Sequence, residues 1–158
     1  MAEPLADKVI QKIDQAAELY HRLIMLVATA GTGKTTALQD VHERTGAPLV
    51  NINLELSRRM LELTERQRAL QLPRLLSEIV NAYPADAILL DNIEVLFDVS
   101  LKQDPLRLLQ GLSRNKTLVA AWSGFIDGEH MVYATPGHSE YRRYPLRDFL
   151  VVNQEAAA

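Results

Sequence analysis

Hydrophobic residues fall into two alternating patterns along this chain. Leu5, Val9, Ile13, Ala16, Ala17 and Tyr20 recur every three or four positions, which predicts an amphipathic N-terminal helix over residues 1–20. Leu23-Ile24-Met25-Leu26-Val27 follows as an unbroken apolar run, the pattern of a strand covered on both faces in a parallel sheet. Thr35 to Thr45 reads as a helix, with Ala37, Leu38 and Val41 inward and Gly46 as its stop. Leu49–Asn53 is a second strand, and Leu54–Leu72 a mixture of helix and loop. Leu75, Leu76, Ile79, Val80 and Tyr83 mark another helix, stopped near Pro84. Ala87–Leu90 is a third buried strand, ending at Asp91. Pro105–Arg114 is a helix with proline in its first turn. Leu118–Trp122 is a fourth strand. Asp127-Gly128 is a turn signal that folds Trp122–Phe125 onto Met131–Ala134. Phe149–Val152 is the last strand, and residues 153–158 read as a flexible tail.

Strands alternating with helices predict an α/β three-layer sandwich around a mainly parallel central sheet. A chain of 158 residues is the size of a single domain. With 47% apolar and 23% charged residues it can form a core without staples. The absence of cysteine excludes disulfides, thiol catalysis, iron–sulfur clusters and cysteine-ligated zinc. A net charge of −3 argues against a polycation that coats nucleic acid, though not against a local basic patch. No apolar run approaches the ~20 residues of a membrane span, and the N-terminus lacks the pattern of a signal peptide. The expectation is a cytoplasmic protein with no membrane contact. His21, His42, His130 and His138 show no metal-ligand spacing.

The candidate chemistry lies between the first strand and the following helix. Ala28-Thr29-Ala30-Gly31-Thr32-Gly33-Lys34-Thr35 fits a phosphate-binding (P-) loop, or Walker A motif, with alanine in place of its first glycine. Gly31 and Gly33 allow backbone N–H groups to converge on an anion, and the helix start adds its dipole. Lys34 is placed to reach β- and γ-phosphates. Thr29, Ala30, Gly31, Thr32, Gly33, Lys34, Thr35 and Thr36 are the candidate nucleotide contacts, with ATP the expected ligand. The Thr35 hydroxyl and the Asp91 carboxylate, at the end of a buried strand as in Walker B, are the candidate Mg²⁺ ligands. Asp91 could equally cap the segment after it. Many hydrolysing relatives of this motif carry glutamate next to the aspartate. Here Asn92 takes that place, and it can orient water but not accept its proton. Glu94 is the nearest acid and the candidate water-activating group, a solvated glutamate being the alternative. Ser123 follows the fourth strand, where additional-strand P-loop ATPases place a γ-phosphate sensor; a turn serine is the alternative.

Twelve arginines outnumber five lysines. Arg58, Arg59, Arg66, Arg68 and Arg74 form one basic group, and Lys102, Arg107, Arg114 and Lys116 another. Three uses compete: an arginine finger donated to a neighbouring subunit, a nucleic-acid groove, or solvated surface charge. Arg142 and Arg143, before the last strand, are the first choice for a finger and Arg114 the second.

Several stretches resemble one family. Leu49–Arg59, Leu61–Arg68, Leu89–Phe97, Ser100–Asn115 and Tyr141–Pro145 are similar to BrxF, the small P-loop (AAA+-like) proteins of BREX bacteriophage-defence systems. The resemblance runs from about Tyr20 to Val152. Leu-Lys-Gln-Asp-Pro-Leu-Arg-Leu-Leu-Gln-Gly-Leu-Ser-Arg-Asn is its most specific string, since the Walker A motif is shared by many families. The resemblance implies an AAA+-like ATPase that works with other BREX components: a large ATPase, a DNA methyltransferase and an alkaline-phosphatase-like protein. A homo-oligomer, and DNA contact made directly or through partners, belong to the same expectation. Only Asn153–Ala158 follow the last strand, so no C-terminal helical lid is expected, and neighbours would close the site. The first expectation is therefore a Mg–ATP-dependent ATPase. A nucleotide-dependent assembly switch with little hydrolysis is the second, and a small-molecule kinase, with the Arg58–Arg74 segment as lid, the third.

Overall fold

The computed structural model describes residues 4–29, 33–134 and 137–153. At its centre is β1 (Leu23–Ala28), every residue of which is buried. On one side of β1 lies β7 (Leu150–Asn153), and on the other β4 (Thr117–Asp127), β3 (Ala87–Asp91) and β2 (Leu49–Asn51) follow in turn. All four of these pairings are parallel. Two further strands, β5 (His130–Tyr133) and β6 (Arg142–Pro145), extend β4 as an antiparallel meander.

Alternation along β1 divides the interior into two layers. Ile24 and Leu26 pack with Val9 of α1 (Leu5–Ala16) and with Leu38 and Val41 of α2 (Lys34–Thr45). Leu23, Met25 and Val27 join the opposite core, with Leu56 of α3 (Ile52–Met60), Leu76 of α4 (Glu65–Asn81) and Leu109 of α5 (Pro105–Leu112). The chain is thus α/β, with a mostly parallel sheet in a three-layer arrangement.

Local chemistry sets the element ends. Gly46 terminates α2 in a left-handed conformation, φ 78°, which glycine adopts without a Cβ penalty. The Asn51 side chain accepts the Leu54 N–H, so β2 gives way to a helix after three residues. The second strand therefore stops at Asn51 rather than at Asn53. Thr64 and Gln67 form a reciprocal capping box that starts α4. That helix runs through Pro73 and joins residues that the sequence pattern divided between a helix-and-loop stretch ending at Leu72 and a helix marked from Leu75. Proline has no N–H for the Ala69 carbonyl four residues earlier. The Gln103 side-chain amide donates to that carbonyl instead, at 2.8 Å.

Other boundaries also differ from expectation. The first helix ends at Ala16, and Tyr20 is 66% exposed. The chain must turn there to enter β1, and Arg22 already bonds to Ser113 and Leu118 through its backbone. The helix from Pro105 ends at Leu112, before Arg114. Asn153, assigned from sequence to the tail, is a strand residue opposite Val27. The Tyr141–Pro145 segment contains β6.

Strand β4 is more than twice the expected length. Trp122, fully buried, donates its indole N–H to the Val132 carbonyl at 3.0 Å and meets Phe97 edge-on. Tyr133 stacks on Phe97 with ring centroids 3.7 Å apart. This close approach of β4 and β5 needs glycine at position 124. A Cβ there would sit 1.9 Å from the Val132 carbonyl oxygen and 2.9 Å from the Trp122 indole nitrogen. Gly124→Ala should cost at least about 1–3 kcal/mol, the range of core overpacking. Gly111→Ala, in a helix with open space around it, should gain about 0.5–1 kcal/mol. Chemical denaturation of both variants checks the contrast, and equal effects would contradict the packing described.

Candidate functional site

Parallel pairing brings the C-terminal ends of β1, β3 and β4 to one edge of the sheet. Ala28 lies opposite Ser123, and Asp91 opposite Asn51. Open α/β sheets collect ligands at such an edge. A cleft of about 400 Å³ opens there, lined by the Gly33–Thr36 turn into α2 and by Asp91, Asn92, Glu94 and Ser123.

Gly33 precedes α2 with φ 96°, a left-handed conformation that favours glycine. Lys34 is buried, and its ammonium donates to the carbonyls of Ala28 at 3.1 Å and Thr29 at 3.0 Å. Burial lowers its pKa from 10.5, while the charges of Glu94 and Asp91 oppose that shift. The Thr35 hydroxyl donates to Asp91 Oδ2 at 2.7 Å. The other Asp91 oxygen accepts the Asn92 N–H at 2.9 Å. Asn92 itself is left-handed, φ 55°, and its carbonyl accepts the Asn53 N–H at 3.1 Å. This kink starts a 3-10 turn, Ile93–Phe97, which carries Glu94 back over the cleft. Ser123 donates to Glu94 Oε2 at 2.9 Å.

The candidate residues Gly33, Lys34, Thr35, Thr36, Asp91, Glu94 and Ser123 therefore share one cleft; Thr29 does not line it, although its carbonyl accepts from Lys34. Ala30, Gly31 and Thr32 lie outside the described residues. Two local alternatives are corrected. Asn92 rather than Asp91 occupies the cap of the 3-10 turn, and it makes no side-chain cap. Ser123 lies within β4 rather than in a hairpin turn. Among the described residues no three His, Asp or Glu side chains form a metal-binding group.

Arg142 and Arg143 do not line this cleft. They sit on β6, separated from β4 by β5. Arg142 donates to the Gln103 carbonyl at 3.1 Å. Arg143 pairs with Asp127 at 2.9 Å and contacts His130 Nδ1 at 3.2 Å. Arg114 precedes the N-terminal end of β4, with its guanidinium 4.7 Å from the Tyr20 ring centroid. The other basic group is largely paired locally: Arg58 and Arg59 with Glu55, and Arg74 with Glu78. Arg68 donates to the Leu63 carbonyl. Such ion pairs on exposed helices act as solvated surface charge.

Sequence reasoning missed two supporting residues. Gln103 repairs the helix at Pro73 and receives Arg142. Tyr133 stacks on Phe97 of the turn that carries Glu94, its phenol pushed up to about 12 by burial, with Glu140 and Glu94 adding to the shift. Neither has a local signature, because both act through long-range contacts.

Comparison with known proteins returned no matching family model and no matching curated protein. Among the described residues no helix is long and apolar enough to cross a membrane.

The depressed Lys34 pKa has a testable sign. A lysine whose folded pKa lies below its unfolded value binds fewer protons when folded, so its penalty eases as pH rises through the folded value toward 10.5. Lys34→Met should therefore compare best with wild type near neutral pH and lose ground at about pH 10. Urea titrations of both proteins at the two pH values check this; the opposite trend would contradict a desolvated ammonium.

Proposed function

We propose that this chain is a Mg–ATP-binding, AAA+-like P-loop ATPase, working as an oligomeric subunit of a BREX-type phage-defence system with DNA-directed partners. The observation that carries the nucleotide reading is the convergence of Lys34, Thr35, Asp91, Glu94 and Ser123 from three strand ends on one cleft. Strand order adds support. β4 is inserted between β1 and β3, the arrangement expected of an additional-strand ATPase. The defence-system assignment rests on the sequence resemblance alone.

In this reading the Gly33–Thr36 turn and the start of α2 bind the β- and γ-phosphates. Lys34 would exchange its two carbonyl partners for phosphate oxygens, which favours its charged form. Thr35 and Asp91, already 2.7 Å apart, would hold Mg²⁺, the aspartate through water. The cation would neutralise phosphate charge as it develops. Ser123 would turn its hydroxyl from Glu94 to the γ-phosphate. Glu94, released, would orient water and accept its proton. Arg142, Arg143 or Arg114 would act only on a neighbouring subunit, since none reaches the cleft of its own chain.

A second reading, a nucleotide-dependent assembly switch with little hydrolysis, is favoured by two observations. Glu94 and Ser123 are hydrogen-bonded to each other, and Asn92 occupies the position next to Asp91. The kinase reading gains nothing from the arginines of α3 and α4, whose ion pairs lie along those helices.

Isothermal titration and steady-state turnover separate these readings. Lys34→Ala should weaken Mg–ATP binding by about 10- to 100-fold, the worth of one charge-assisted contact. Glu94→Gln should lower kcat by about 10²–10⁴ while leaving affinity within a few-fold. Undiminished turnover in Glu94→Gln would remove the assigned base, and wild-type binding without turnover would select the switch. Sizing with Mg²⁺ and a non-hydrolysable ATP analogue should show an oligomer; a monomer throughout would exclude the trans arginine.

A further inference from the structure

A second cleft, about 370 Å³, adjoins the first at the same sheet edge. It lies over the ends of β4, β1 and β7, whereas the Lys34 cleft lies over β3 and β4. Thr29, which leads into the Gly33–Lys34 turn, is one of its walls, together with Val27, Phe125, Ile126 and Asn153. Among the described residues none that lines it is ionisable, in contrast to the lysine and two carboxylates of the first cleft.

The length of β4 creates this second space. Ala28 is the last residue of β1, opposite Ser123, yet β4 continues through Gly124–Asp127, paired there with β5. Those residues stand above the sheet edge as a wall. On a strand, Ser123 and Phe125 share one face. The Gly124 side of the wall is closed by the Val132 carbonyl and the Trp122 indole. Phe125 remains 44% exposed, although it follows a fully buried tryptophan by three residues. A phenyl ring held on the β4–β5 hairpin and bordering an uncharged cleft offers a face on which a flat partner can stack.

We propose that Phe125 is the platform on which the nucleotide base stacks, with the Asn153 side chain at the cleft rim as a polar contact for the base edge. The proposal rests on the reading of Gly33–Thr36 as a phosphate site. The two clefts divide charge as a nucleotide does, a cationic and metal-binding end for the polyphosphate and a neutral, aromatic-walled end for the base. Stacking on phenylalanine offers no hydrogen bond, so it grips any purine and leaves discrimination to the rim.

The test compares Mg–ATP with Mg–tripolyphosphate, which has the phosphates without the base. By isothermal titration, Phe125→Ala should weaken ATP binding by about 5- to 150-fold, the worth of one aromatic–base stack, and leave tripolyphosphate unchanged. Lys34→Ala should weaken both. Phe125→Trp should keep ATP affinity, and ATP, but not tripolyphosphate, should quench the new indole. Unchanged ATP affinity in Phe125→Ala overturns the platform, as does equal loss of both ligands or a wild type that binds both equally well. In those cases the phosphate site survives if Lys34→Ala still loses tripolyphosphate. A wild type that binds neither ligand overturns the phosphate reading and this proposal together.

Discussion

Insertion of β4 between β1 and β3 is the constraint on which this structure depends. A strand paired on both edges and covered on both faces has no place for a polar side chain until it leaves the sheet. From Leu118 to Trp122, β4 is entirely buried, and Ser123 is the first polar residue it offers to solvent. That register sets Ser123 beside Ala28, the last residue of β1, and it holds β1 and β3 one strand apart. The gap between Lys34–Thr35 and Asp91 is then bridged by a single hydrogen bond, Thr35 to Asp91. Trp122 anchors the arrangement from below, tied to Val132 and packed on Phe97, the last residue of the turn that carries Glu94.

Within the cleft, charge and burial oppose each other. Lys34 sits where desolvation disfavours its ammonium, and two carbonyls and two nearby carboxylates retain it. Asp91 is likewise buried, with both oxygens engaged. A cation, two carboxylates and two hydroxyls share this small volume, each held by a hydrogen bond within the chain. An incoming polyanion with a divalent cation would relieve both sides, giving Lys34 a counter-charge and Asp91 a partner. The left-handed Asn92 contributes to the same design. Its kink aims Glu94 at Ser123 instead of letting the chain continue away from the sheet.

The cleft residues were legible in the chain because each stands at a transition. Lys34 and Thr35 follow an apolar run and open a helix, Asp91 closes another run, and Ser123 closes a third. Such boundaries follow from local burial, which a sequence displays directly. Glu94 was named from its separation from Asp91, but its pairing with Ser123, 29 residues away, needed the fold. The arginines were the least legible. Arg142 and Arg143 are adjacent in the sequence to the last strand, yet they belong to a meander two strands removed from β4. A charge carries no record of its partner, so Asp127 and the Gln103 carbonyl could not be foreseen. The repair of α4 at Pro73 was illegible for the same reason: the proline's disruption is local, and the amide that compensates it lies thirty residues on.

The sequence by itself determined the alternation of buried strands and helices, the three-layer class, and the identity of the groups that gather at one sheet edge. These depend on hydrophobic period and on helix and strand ends, both properties of neighbouring residues. The tertiary structure decided strand order, the partners of every charged side chain, and the extension of β4 that leaves Phe125 beside an uncharged cleft. These depend on pairing between segments far apart in the chain. There the deciding quantities are the space left by a missing Cβ at Gly124 and the nearest carbonyl or carboxylate, and neither is written in local order.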